Sequence, residues 1–171
     1  MRYGQPFSFK KWIDEHRDVL KPPVGNAQVF KDVDNFIIMV VGGPNSRNDF
    51  HYNESEEFFY MLEGNMILRV HDEGEINDIP IKEGEIFLLP AKVPHSPQRE
   101  ANSIGLVVEK VRTDDETDGF IWYCQNCGNK LYEEYFHLED IVKQLPPVMK
   151  RFNDNEDLRT CSNCGTVMES K

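Results

Sequence analysis

HYNESEEFFYMLEG (residues 51–64) and GEIFLLPAKVPHSPQR (residues 84–99) are the two stretches from which the architecture of this chain can be read. Each pairs a short apolar run with a histidine and is bounded by glycine or proline. The same texture extends over residues 27–123. The runs NFIIMVV (35–41), EFFYML (57–62), NMILRV (65–70), DIPI (78–81), EIFLLP (85–90) and SIGLVVEKV (103–111) are separated by GGPN, EGN, DEGE, KEGE and AKVP. Short apolar runs with turn residues about every 8–12 positions predict an all-β sandwich or barrel.

The flanks differ. Ser8 as N-cap and the spacing of Trp12, Ile13, His16, Val19 and Leu20 predict a helix over 8–20, stopped by Pro22-Pro23 and followed by a loop over 21–26. Residues 124–171 carry two C-x-x-C-G motifs around a helix expected near 138–145, which Pro146-Pro147 should interrupt. The expected organisation is therefore an N-terminal helix and loop (1–26), a β-barrel (27–123) and a small metal-binding appendage (124–171). A chain of 171 residues, 39% hydrophobic, suits one core plus an appendage. No run is long and apolar enough for a membrane helix, and no signal peptide is visible, so the expected location is the cytoplasm. A net charge of −11 argues against a nucleic-acid partner. It also means that an anionic substrate must be captured by particular arginines, against the general field.

His51, Glu57 and His95 form the first constellation. Two imidazoles and a carboxylate leave metal positions open, as in many non-heme Fe(II) oxygenases, but zinc hydrolases use the same donors. The spacing His51-x-Asn53-x-x-x-Glu57, six residues, Gly64, then Gly84, five residues, Pro90-x-Lys92-x-x-His95-x-x-x-Arg99, resembles the paired motifs of the cupin family. Asn53 stands at that motif's second histidine, Lys92 at a turn glycine and Arg99 at an asparagine. The resemblance implies a double-stranded β-helix barrel with a metal in its mouth. A cupin isomerase or epimerase, or a non-catalytic small-molecule sensor, would share that barrel.

Arg47 and Arg99 each lie four residues from a histidine. In extended chain both would face the ligands, and two guanidinium forks suit a carboxylate. Asp49 would face the same side and support proton handling. Glu109, in an otherwise apolar strand, either marks the strand's exit into solvent or works as a buried acid. Cys124/Cys127 and Cys161/Cys164 fit a tetrahedral site for zinc or iron better than redox-active pairs. His16, His71 and His137 read as structural or surface residues.

NSRNDFHYNESEEFFYMLEGNM, IKEGEIFLLPAKVPHSPQR, DGFIWYCQNC and CSNCG together resemble the 3-hydroxyanthranilate 3,4-dioxygenase family in its short, single-cupin form. That resemblance implies Fe2+ on His51, Glu57 and His95, and a second, rubredoxin-like Fe or Zn on the cysteines. It implies O2 as co-substrate, and 3-hydroxyanthranilate held by Arg47, Arg99 and Glu109. Glu57, Asn26, Val24 and Phe58 or Phe59 would line the pocket, and the protein would be a homodimer. The implied product is 2-amino-3-carboxymuconate semialdehyde, on the kynurenine route to quinolinate and NAD.

Overall fold

A computed structural model describes residues 4–22, 25–31, 33–45 and 47–171. Val24, expected at the pocket, and Pro23 lie outside the described residues. The N-terminal helix α1 spans Phe9–His16, with the Ser8 hydroxyl accepting from the Lys11 amide at 3.3 Å. It stops short of residue 20 because Arg17 turns out to meet Glu63 of the barrel, at 2.7 and 3.0 Å. Val19 and Leu20 then close the turn onto the His16 carbonyl. Ile13 and Leu20 are buried against Val40 and Ile104.

Among the described residues eleven strands follow: β1 Asn26–Gln28, β2 Phe36–Gly42, β3 Phe50–Tyr52, β4 Glu57–Glu63, β5 Met66–Asp72, β6 Glu75–Ile81, β7 Ile86–Leu89, β8 His95–Arg99, β9 Ile104–Lys110, β10 Asp118–Tyr123 and β11 Lys130–Phe136. They form a five-stranded sheet, β1-β2-β9-β4-β7, and a six-stranded sheet, β11-β10-β3-β8-β5-β6. From β2 to β10 the chain passes back and forth between the sheets, and the pairings are antiparallel. This winding is the double-stranded β-helix expected from the motifs. Alternation places the core: β4 buries Glu57, Phe59 and Met61, and β5 buries Met66, Leu68 and Val70. Leu89 and Val107 complete that cluster between the sheets.

Strands β3 and β8 do not stand out as apolar runs, because their inward positions carry His51, His95 and Arg99. Lys92, at the family motif's glycine, keeps the left-handed turn with φ +66°. A side chain there costs about 1–2 kcal/mol.

Beyond residue 123, β11 pairs with β10 and so extends the six-stranded sheet. Helix α2 runs over Ile141–Asn153 and contains Pro146 and Pro147, which corrects the expected interruption. Each proline removes a helical hydrogen bond, at about 3 kcal/mol. Against this, Val148 and Phe152 are buried with Trp122 and Phe120, and Leu145 and Met149 pack beside them. At about 1.5–3 kcal/mol for each fully buried side chain, packing carries the helix through the prolines. A short helix α3, Glu156–Arg159, leads to the second cysteine pair.

Candidate active site and second metal centre

His51 sits in β3, Glu57 opens β4 and His95 opens β8; His51 and His95 are direct cross-strand partners. All three are buried, and one donor atom from each lies within 4.8 Å of the others. The rings are held from behind. His51 Nε2 meets Asp118 Oδ2 at 2.6 Å, and the His51 ring stacks on Phe120 at 5.2 Å. His95 Nδ1 donates to the Val93 carbonyl at 3.0 Å, leaving Nε2 2.9 Å from Glu57. Outer partners of this kind orient imidazoles on a metal. Burial opposes charge on Glu57 and His95, yet their mutual attraction holds the carboxyl below and the imidazole above their ordinary values. Asn53, at the position of the missing histidine, donates to Glu57 Oε2 at 3.4 Å. The donor set and its buried, oriented geometry fit a divalent metal with open positions.

Arg99 and His95 share one face of β8 and are both buried. Arg99 is 5% exposed, and its guanidinium meets Met61 Sδ at 3.8 Å but no carboxylate among the described residues. Burial pulls its pKa down to about 10, with Glu57 working the other way and Arg47 adding to the fall. Gly105 makes the space: a Cβ there would stand 2.6 Å from Arg99 Nη1. Arg47 precedes β3 and directs Nε and Nη2 at the two oxygens of Asp49, which is fully buried. Burial opposes the Asp49 charge, and Arg47 more than offsets it, so this carboxyl lies below its ordinary value.

Glu109 is 8% exposed on β9, directly across from Glu57. Burial, then Glu57, push its carboxyl up, while Arg112 pulls it back. Arg112 Nη1 lies 2.5 Å from Glu109, and its Nε and Nη2 donate to Asp118 at 2.9 and 2.6 Å. The buried reading of Glu109 thus fits its position. Sequence reasoning misses both Arg112 and Asp118. Each sits just outside or at the end of a strand, where the two-residue period no longer tells which way a side chain points. The only available signal is for Asp118, a charged residue at the rim of the apolar run GFIWY.

Between these groups lies a cavity of about 220 Å³, walled by Ile37, Met39, Phe59 and Val107, with Asn26 at its edge. Phe59 faces it; Phe58 lines a separate groove outside the five-stranded sheet. Leu138, Glu139 and Ile141, from the segment leading into α2, also line the cavity. Nothing in the sequence pattern points to that segment, since only the return of β11 beside β10 brings it there.

The cysteines form a second cluster, again within 4.8 Å. Sγ–Sγ distances of 3.6 Å, for Cys124–Cys164 and Cys127–Cys161, approach the ~3.8 Å edge of a tetrahedron with 2.3 Å bonds and exclude a disulfide. The two knuckles repeat one another: Gly128 and Gly165 have φ of 71° and 74°, and their amides donate to the Cys124 and Cys161 carbonyls. Asn126 donates to Cys164 Sγ and Asn163 to Cys127 Sγ, both at 3.6 Å. Hydrogen bonds from Thr166 and Asn126 bring the Cys164 thiol down to about 5, while burial pushes Cys124 up to about 11. His16 stacks on Trp12, His71 stacks on Tyr123 and His137 bonds the Glu116 carbonyl; none joins either cluster.

A protein from Xanthomonas euvesicatoria pv. vesicatoria (strain 85-10) named 3-hydroxyanthranilate 3,4-dioxygenase is 58% identical over 160 residues, covering 94% of this chain and 90% of its own. One of the same name from Jannaschia sp. (strain CCS1) is 52% identical over 166 residues, covering 96% and 92%. Among solved structures, a cupin-2 domain containing protein from Shewanella frigidimarina is 15% identical with a TM-score of 0.48, covering 58% of this chain and 92% of that one. The family model for 3-hydroxyanthranilic acid dioxygenase matches residues 1–153, a span that takes in the whole barrel with His51, Glu57 and His95. With identity above one half maintained along nearly the full length of such relatives, this chain belongs to the 3-hydroxyanthranilic acid dioxygenase family.

Proposed function

We propose that this protein is an Fe2+-dependent 3-hydroxyanthranilate 3,4-dioxygenase. It would open the ring between the hydroxyl-bearing carbon and its unsubstituted neighbour, placing both atoms of O2 in 2-amino-3-carboxymuconate semialdehyde, on the route to quinolinate and NAD. The observation that carries this reading is Arg99, a buried cation in the pocket without a carboxylate partner among the described residues. Burying a charge is costly unless it is paired, so the pocket is suited to an anion that brings the missing partner. A cavity of about 150 Å³ holds benzene, so 220 Å³ accommodates one substituted ring.

Ferrous iron held by His51, Glu57 and His95 would supply Lewis acidity toward the substrate's hydroxyl and amine, and electron density for dioxygen. Arg99 binds the substrate carboxylate, joined by Arg47, whose fork Asp49 keeps in place. The ion pair suits Asp49 to holding Arg47 rather than to handling protons. The apolar walls keep the ring flat and exclude water, which lowers the entropic cost of the reacting geometry. Glu109 faces the hydroxyl and amine and takes the hydroxyl proton; its raised pKa suits a base that must hold it. The tetracysteine cluster would hold a structural Fe or Zn.

The outer face of the five-stranded sheet exposes Phe36, Ile86 and Leu88 beside Phe58 and Val108, an apolar surface suited to a homodimer. Four reduced cysteines suit the cytoplasm, and no helix among the described residues is long and apolar enough to cross a membrane. The activity is tested by anaerobic loading with Fe2+, then adding 3-hydroxyanthranilate in air. A new absorbing product with one O2 consumed per ring is expected. No turnover would sink the assignment, and turnover without oxygen would point to an isomerase.

A further inference from the structure

We infer that Arg112 is a positioning residue that ties the metal site and the substrate acid into one unit. One guanidinium spans two tasks. Through Nε and Nη2 it fixes Asp118, whose Oδ2 in turn orients His51; through Nη1 it fixes Glu109. This inference rests on the proposed function for the task of Glu109, while the Asp118–His51 half stands on geometry alone.

The network is closed to solvent: the side chains of Arg112, Glu109 and His51 are each 9% exposed and that of Asp118 is 1% exposed. Such a network is a poor source of stability, because apolar groups of the same shape usually serve as well. Its specific yield is orientation. Glu57 and Glu109 stand opposite one another on β4 and β9, a like-charge pairing that would push Glu109 off its position. Arg112 supplies the opposing pull and is itself held by Asp118. Lysine offers a compact charge without a fork and cannot reach both carboxylates in these directions.

The test compares Asp118→Asn, Glu109→Gln, Arg112→Met and Arg112→Lys in the full-length protein. Two quantities are read: Fe2+ affinity of the barrel site, by anaerobic chelator competition without substrate, and kcat against KM in fully loaded enzyme. Asp118→Asn should weaken Fe2+ about 10–100-fold, with a loss of loaded kcat smaller than that of Glu109→Gln. Glu109→Gln should lower kcat and leave Fe2+ affinity within about twofold. Arg112→Met should do both, and Arg112→Lys should fail to restore at least one. Fe2+ affinity and kcat both within about threefold of the parent in either Arg112 variant would overturn the inference, as would a loss confined to one of them in Arg112→Met. If Arg112→Met does not fold, Arg112→Lys carries the same decision. A parent that binds Fe2+ but never turns over fails the proposed function instead; the affinity arm still decides the Arg112–Asp118 link.

Discussion

The barrel centre and the tetracysteine centre are assembled by opposite means. His51, Glu57 and His95 come from three strands in two sheets and are wholly buried. Each cysteine pair instead sits in its own tight turn, closed by a glycine, with Cys127 and Cys164 exposed. The barrel donors are placed by long-range strand pairing, so the fold makes that site and can leave it open for chemistry. The knuckles are shaped locally, but residues 124–127 and 161–164 meet only when something holds them. A metal on the four thiols would hold them together and support the fold.

Four substitutions test this contrast, and a fifth probes the turn before β8. The largest effect is expected for His95→Ala. It should remove one of two metals per chain, lower kcat at least ~10³-fold and spare the cysteine metal; metal analysis beside steady-state kinetics reads both. Next comes Arg99→Met, which should lower kcat/KM by about 3–4 kcal/mol, roughly 10²–10³-fold, with both metals retained. Its melting temperature should stay level or rise, because a buried unpaired cation is gone. A clear fall on calorimetry would instead make Arg99 a structural residue.

Cys161→Ser should lose the second metal and about 3 kcal/mol of stability, yet keep barrel-metal affinity and kcat. A drop in kcat with the barrel metal still bound would undo the contrast, since α2 packs beside Met168 and leads from the pocket-lining residues. Gly105→Ala should push the Arg99 fork aside and raise KM about tenfold, with some fall in melting temperature because the new Cβ also crowds the buried Met61 Sδ at 3.0 Å. An unchanged KM would show that Arg99 reaches the substrate from another position. The smallest effect belongs to Lys92→Gly, expected to add about 1 kcal/mol in denaturant unfolding by relieving the positive φ.

Much of the fold and the metal donors is legible from local pattern. Alternation in EFFYML and NMILRV marks β4 and β5, and motif spacing marks His51, Glu57 and His95. The Arg99–His95 register holds because β8 is a true strand across that interval. Legibility fails where side chains answer to distant neighbours. Pro146 and Pro147 read as a helix stop because Trp122 and Phe120, which hold α2, are remote in sequence. Asp118 and Arg112 escape notice because their partners, His51 and Glu109, meet them only across strands and around a strand end.

Donor types, knuckle turns and the strand period are thus properties of the bare sequence, since all of them depend on residue identity and near spacing. Which charges are paired is settled only in the folded chain. Folding gives Arg47 to Asp49, places Arg112 between Glu109 and Asp118, and leaves Arg99 facing the cavity without a carboxylate among the described residues. Desolvation and charge compensation depend on which strands come together, and no short stretch of sequence carries that information.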